Sequence, residues 1–228
     1  MNVAIVVAAG KGTRLGGNQP KQFLEVRGVP IILHTLKQFE RCQEIGEIIV
    51  VVPAEDAAAF SSLVEKYEVR KLSRIVPGGA TRAQSVRSGL DAIGTAEIVA
   101  VHDGVRPFVT PDEIDRAVRA AKAGGASVLT APVADTIKEI EGDRVVRTLP
   151  RKGLRRALTP QCFRYDLLKR AYDQLDELEA AGIEVTDDSL LIERLGVEAI
   201  AVEGSARNIK ITEEGDLALA ETMLQGLK

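Results

Sequence analysis

Ala8-Ala9-Gly10-Lys11-Gly12-Thr13-Arg14-Leu15-Gly16 and, shortly after, Pro20-Lys21-Gln22 leave the end of an apolar run that begins at Val3. Glycines in such a place let several backbone N–H groups approach one phosphate chain, because no Cβ stands in the way. Lys11, Arg14 and Lys21 supply the positive charge that a triphosphate requires. Two common phosphate loops do not fit. A dinucleotide fingerprint needs a third glycine where Leu15 stands, and a P-loop in the register of Gly12 and Gly17 needs a lysine where Asn18 stands. The segment therefore predicts a nucleotide site of another type.

Four further clusters fall at the ends of predicted strands. In Pro77-Gly78-Gly79-Ala80-Thr81-Arg82-Ala83-Gln84-Ser85 the paired glycines expose backbone groups for a flat base edge, and the helix start beside them adds the Ser85 hydroxyl. A capped turn is the plainer reading of the same residues. His102-Asp103-Gly104-Val105-Arg106 sets a carboxylate beside a guanidinium, which suits Mg²⁺ and a phosphorylated or polyol substrate. His102 itself reads as a packed histidine. Arg151, Lys152, Arg155 and Arg156 form either a solvated charge run or a phosphate clamp. Thr186, before Asp187-Asp188, reads as a helix cap. Lys210, in the apolar stretch Asn208–Ile211, either snorkels or points into a site.

The elements that must position these residues follow from periodicity. Val3–Ala8, Glu47–Val52, Ser73–Val76, Glu97–Val101 and Ser127–Ala131 read as strands, and Pro30–Arg41, Ala54–Tyr67, Thr81–Ile93 and Pro111–Ala123 as helices. Thr81-x-x-Gln84 and Thr110-x-x-Glu113 fit capping boxes. The alternation implies an α/β fold with a mainly parallel twisted sheet, helices on both faces, and ligands at the carboxyl ends of the strands. After Ala131 the rhythm breaks. Asp135–Ile140 and Arg144–Leu149 around Gly142-Asp143 read as a polar hairpin that needs something to pack on, for which a second subunit is expected. Helices at Arg164–Ala181, Asp187–Leu195 and Glu213–Leu227 follow, with strands near Glu198–Val202 and Asn208–Ile211. We read residues 1–228 as one domain with a protruding β-arm at about 134–155.

Composition bounds the partners. Thirty basic residues against thirty-three acidic give a net charge of −3, so a cationic site must be local, and bulk capture of nucleic acid or an anionic membrane is not expected. Cys42 and Cys162 have no metal-like spacing and read as free thiols in a reducing cytoplasm. No leader and no membrane-spanning run is expected.

In the order AAGKGTRLG, PKQF, PGGATRAQSV, HDGVRP, APVADT, RKGL, LTPQ, TDDS and NIKIT, the chain resembles the 2-C-methyl-D-erythritol 4-phosphate cytidylyltransferases of the non-mevalonate isoprenoid pathway. The resemblance runs from about Val3 to the last helix. It implies a nucleotide-diphospho-sugar-transferase-like fold, a homodimer through the arm, Mg²⁺ or another divalent cation, and the reaction of CTP with methylerythritol phosphate. Carried over residue by residue, it makes Arg14 and Lys21 stabilisers of the triphosphate's developing charge, and Arg151 and Lys210 positioners of the acceptor phosphate. Ala8, Ala9, Gly10, Gly12, Thr13, Gly78, Gly79 and Ser85 would bind CTP. Asp103, Arg106, Thr136, Thr159 and Thr186 would bind the alcohol phosphate, with Asp103 also the metal ligand and Asn208 a weaker second. Ala80 stands where some relatives are expected to carry an acidic residue, which leaves a backbone contact there. Two other readings are a ribitol-5-phosphate or sugar-phosphate nucleotidyltransferase, and a nucleotide sensor without turnover.

Overall fold

The computed structural model describes residues 1–10 and 20–225 of the chain. Gly12, Thr13 and Arg14 lie outside them. Strands β1 (Val3–Val7), β4 (Glu47–Val52), β5 (Leu72–Pro77), β6 (Ile98–Asp103), β7 (Ala126–Pro132), β10 (Arg155–Arg164) and β11 (Ile200–Glu203) form one sheet in the order β11-β7-β10-β6-β1-β4-β5. All neighbours run parallel except β10, which is antiparallel to β6 and β7.

The central strands are buried on both faces, and alternate residues enter different cores. Ala4, Val6, Ile48, Val50 and Ala100 pack with α1 (Ile31–Arg41), α2 (Ala57–Tyr67) and α4 (Pro111–Gly124). Val3, Ile5, Ile49, Val51, Val99 and Val101 pack with α3 (Arg82–Asp91), α5 (Tyr165–Tyr172), α6 (Leu175–Ala180) and α7 (Asp188–Arg194). This is the two-fold side-chain period of a strand covered on both sides, and it explains the continuous β-branched runs. A third, smaller core joins α8 (Glu214–Gln225) to Val26, Ile31, Val105 and Phe108. It also encloses the short hairpin of β2 (Glu25–Val26) and β3 (Val29–Pro30), which sequence reading did not foresee.

Three further departures concern the site. The stretch from Arg155 to Arg164, whose first two residues belong to the charge run and whose residues 157–163 sequence reading assigns to no element, is β10, a central strand whose residues Leu158–Phe163 are buried. Pro160 argues against a central strand because it cannot donate to the ladder. Here it sits where the β10–β7 register shifts between Ala157 and Gln161, so the missing N–H falls in the irregularity. Asn208–Ile211 is not a strand. It is joined to the segment after β6, with Ile211 N–H donating to Val105 O at 2.9 Å. The helix read at Arg164–Ala181 is two, α5 and α6, separated at Asp173 and Gln174. Periodicity conceals that break, since Leu168, Ala171, Leu175 and Leu178 keep one buried face across it.

The hairpin forms as expected in outline, with β8 (Ile137–Glu141) antiparallel to β9 (Arg144–Leu149) in a sheet of its own. Among the described residues no helix is long and apolar enough to cross a membrane.

Candidate active site

At the carboxyl ends of β1, β5 and β6 a cavity of about 460 Å³ opens. Its wall includes Ala8, Ala9, Gly10, Lys21, Gly79, Arg82, Ser85, Asp103 and Lys210. The β1 ladder continues into it: Ala8 N–H donates to Val51 O at 2.7 Å and Gly104 N–H to Val7 O at 2.8 Å. Two glycines make this close approach possible. A Cβ on Gly78 would stand 2.2 Å from the Ala9 Cβ, and one on Gly104 would stand 2.7 Å from Ile32 Cδ1. Gly78 thus serves packing behind the wall, while Gly79 lines it.

The turn into α3 is held from within. Thr81 caps the helix by accepting from Gln84 N–H at 3.1 Å, but Gln84 Oε1 reaches back to Ala80 N–H rather than to Thr81. Ser85 Oγ donates to Thr81 O at 2.9 Å and accepts from Gly79 N–H at 3.1 Å. The Gly79 N–H offered to a base by sequence reading is therefore engaged by Ser85. By contrast, Thr110 and Glu113 make the full reciprocal box predicted for α4.

A second cavity of about 240 Å³ adjoins the first and shares Arg82, Asp103 and Lys210 with it. Arg106, Thr159, Thr186 and Asp187 line the rest. Asp103, at the end of β6, is the junction. Arg82 Nε lies 3.1 Å from Oδ1, while Lys210 Nζ lies 2.8 Å and Arg106 Nε 3.6 Å from Oδ2. Burial alone would raise the Asp103 pKa, but the three cations hold it well below the usual carboxylate range. Burial also pushes the Arg106 guanidinium down. Over the two cavities Lys21, Arg82, Arg106 and Lys210 face Asp103 and Asp187. That is a local excess of positive charge in a chain of net charge −3, and it draws anions.

Behind this wall His102 is fully buried against Phe39, with ring centroids 4.9 Å apart. Its Nε2 lies 3.2 Å from Arg106 O, a pure acceptor, so Nε2 carries the proton. Nδ1 then accepts from Thr159 Oγ at 3.0 Å, and that hydroxyl accepts from Asp103 N–H at 3.2 Å. Burial pushes the imidazole pKa down to about 4, so His102 is neutral at physiological pH and orients Asp103 and Thr159. Gln161 fixes the other side. Its Oε1 accepts from the N–H groups of Asp188 and Ser189, and its Nε2 donates to Asp187. The cap of α7 is Asp187, not Thr186: its side chain accepts from Leu190 N–H at 3.1 Å.

The model of the family described as IspD, 2-C-methyl-D-erythritol 4-phosphate cytidylyltransferase, matches residues 2–226. The chain belongs to this family. A 2-C-methyl-D-erythritol 4-phosphate cytidylyltransferase from Bacillus licheniformis is 39% identical over 229 residues, covering 100% of this chain and 98% of that one. One from Clostridium novyi is 42% identical over the same shares. Among solved structures, the 4-diphosphocytidyl-2C-methyl-D-erythritol synthase of Anaerococcus prevotii superposes with a TM-score of 0.86 at 32% identity, over 98% of this chain and 96% of that one. The 2-C-methyl-D-erythritol 4-phosphate cytidylyltransferase of Thermus thermophilus superposes with a TM-score of 0.78 at 34% identity, over 99% and 100%.

In this member of the cytidylyltransferases, the fold brings most of the predicted residues together and leaves three outside both cavities: Gly78, packed behind the wall of the first, and Thr136 and Arg151. Ala8, Ala9, Gly10, Lys21, Gly79, Ser85, Asp103 and Lys210 share the first cavity, and Asp103, Arg106, Thr159, Thr186 and Lys210 the second. Thr136 and Arg151 are exposed and line neither; Arg151 donates to Ala134 O at the base of the hairpin. Asn208 is buried, with its Nδ2 on Thr159 O at 2.9 Å and its own carbonyl accepting from Arg106. It props the second cavity from behind. Sequence reading assigned no role to Arg82, Gln161, Asp188 or Tyr172. One signal for Arg82 was available: a cation in the first turn of a helix opposes the dipole and needs a reason to be there.

Proposed function

We infer that the chain transfers the cytidylyl group of CTP to 2-C-methyl-D-erythritol 4-phosphate and releases pyrophosphate. The family match over residues 2–226 carries this reading, and two adjoining cavities bridged by Arg82, Asp103 and Lys210 support it. The first cavity takes CTP and the second the alcohol phosphate. An oxygen of the acceptor's phosphate monoester attacks the α-phosphorus. One P–O bond forms, the bridging bond to the β-phosphate breaks, and pyrophosphate leaves with the electron pair. The nucleophile is already anionic, so no general base is required, in keeping with His102 and both cysteines being buried off the cavities. The protein's work is to hold two anions in line and to meet the charge that builds between them. Arg14 and Lys21 act on the triphosphate, Arg106, Thr159 and Thr186 on the acceptor, and Lys210 where the two meet.

Asp103 fits a divalent cation as a single carboxylate ligand. Its carboxylate already faces Arg82, Lys210 and Arg106, so of its about four lone-pair sites it would offer the ion one, and the remaining ligands would come from the substrates and water. Mg²⁺ bound there with phosphate oxygens and water would offset the repulsion between the two substrates. Chelation is expected to stop pyrophosphate release, and unchanged release in excess chelator excludes the ion. The decisive assay measures pyrophosphate from CTP with methylerythritol phosphate against UTP and against ribitol phosphate. Turnover of ribitol phosphate in preference would move the acceptor to the rival class, and binding of CTP without release would make the chain a sensor.

The hairpin arm serves a homodimer in this reading. Ile140, Val145 and Val146 are 61%, 62% and 55% exposed on a two-stranded sheet, and such a ribbon is marginal in water without a partner. Arg151 at its base would then complete the partner's acceptor site. Sedimentation is expected to give a dimer that Ile140→Asp with Val146→Asp dissociates; a monomeric parent protein would refute the arm's role. Two buried cysteines without a disulfide suit the cytoplasm, where cell fractionation should find the protein.

A further inference from the structure

Arg82 touches both cavities and has no part in the mechanism above. It stands directly after the N-cap Thr81, at the start of α3. Its guanidinium is held by two carboxylates from other elements: Nε by Asp103 Oδ1 at 3.1 Å and NH2 by Asp188 Oδ2 at 2.8 Å. Asp188 is fully buried at the start of α7, where its other oxygen accepts from Tyr172 OH and its N–H donates to Gln161. The third nitrogen, NH1, is buried without a hydrogen-bond partner among the described residues. The placement of the group is thus set by the two carboxylates rather than by using every donor. Burial alone would lower its pKa, but Asp188 and Asp103 raise it above the ordinary arginine value, so it stays charged.

We propose that Arg82 is a positioning residue, which acts through Asp103 on the acceptor substrate. The chain Tyr172–Asp188–Arg82–Asp103 ties the starts of α3 and α7 to the end of β6. An aspartate's terminal torsion is broad and intrinsically undirected. Arg82 fixes it by claiming Oδ1, which turns Oδ2 toward Lys210 and Arg106. A planar fork can bridge two carboxylates at set angles, and an ammonium cannot. The inference rests on the second cavity being the acceptor's.

Two variants test it. Arg82→Gln with Asp188→Asn removes the half-buried cation and its buried partner together, and Arg82→Lys keeps the charge while losing the fork. Each is expected to lower kcat/KM for methylerythritol phosphate about 100-fold, the cost of a small misplacement. The Kd for CTP, measured without acceptor or divalent cation, should change by a smaller factor than the acceptor kcat/KM, since Arg82 is there only one of several wall residues of the first cavity. Parental kinetics in the double variant would overturn the proposal, because Arg82 would then serve only to neutralise Asp188. A loss of CTP affinity as large as the loss of acceptor kcat/KM would also overturn it. If the double variant does not fold, Arg82→Lys decides by the same two readouts. Failure of the parent protein to release pyrophosphate from CTP and methylerythritol phosphate would instead sink the underlying assignment, before any variant is compared.

Discussion

Lys21→Ala is expected to lower kcat about 10²–10³-fold at saturating CTP, the loss typical of removing one preorganised group that meets transition-state charge. Lys21 begins a short 3-10 turn, Lys21–Phe23, entered from Pro20 and closed by Leu24 N–H on Lys21 O at 3.2 Å. Proline presets the backbone and the turn is anchored by Phe23 against Phe60, 6.0 Å away between ring centroids. The ammonium is thus delivered from a fixed base into the first cavity. Because its charge matters most as negative charge accumulates on the triphosphate, kcat should fall more than the KM for CTP rises. The half-buried position lets the variant fold normally. Steady-state pyrophosphate release with circular dichroism as control checks this; turnover within tenfold of the parent would remove Lys21 from the transition state.

Asp103→Asn has the other large effect, on activity and stability together. Removing the carboxylate leaves Arg82, Arg106 and Lys210 facing one another around a neutral amide. Breaking a buried ion pair typically costs 3–5 kcal/mol, and about 3 kcal/mol is expected here. The low end applies because Arg82 keeps Asp188 and the Lys210 side chain, 38% exposed, can turn to water. Acceptor kcat/KM should drop at least about 100-fold, since the group at the junction of both cavities is lost. Urea unfolding and the release assay, run where the variant is folded, measure the two effects separately. Stability within 1 kcal/mol of the parent would mean that the three cations do not depend on Asp103. The pH dependence has a definite sign. The folded pKa of Asp103 lies below its unfolded value, so its stabilisation is complete above the unfolded pKa, and falls away only in strong acid as pH drops through the folded one.

Much of the frame was legible in the chain. The runs Val3–Val7, Glu47–Val52 and Ile98–Asp103 are β-branched and continuous because both faces of the strands are buried, so type and position could be read together. The caps at Thr81 and Thr110 and the proline at the start of α4 are local chemistry and appear where they were placed. β10 was missed for a physical reason: its first residues are charged and exposed, and a proline interrupts its apolar half. A proline is tolerated in a central strand only at an irregularity, and an irregularity depends on the partner strand. Asn208–Ile211 failed in the opposite direction, being apolar enough for a strand but, among the described residues, pairing with no strand and bonded through Ile211 N–H to Val105 O in the turn after β6.

The sequence by itself determined that a glycine-rich segment, a glycine pair, an Asp–Arg cluster and a late lysine exist, and that the glycine pair and Asp103 lie at strand ends. These are matters of residue type and local spacing, which propensity and periodicity encode. Only the tertiary structure decided which of them meet. It put Asp103 and Lys210 2.8 Å apart across more than a hundred residues, and recruited Arg82 to hold Asp103. It also engaged the Gly79 N–H with Ser85, and left Thr136 and Arg151 outside both cavities. The reason is that an ion pair or a cavity wall depends on the order of strands in the sheet. That order is fixed by burial summed over the whole chain rather than by any one segment.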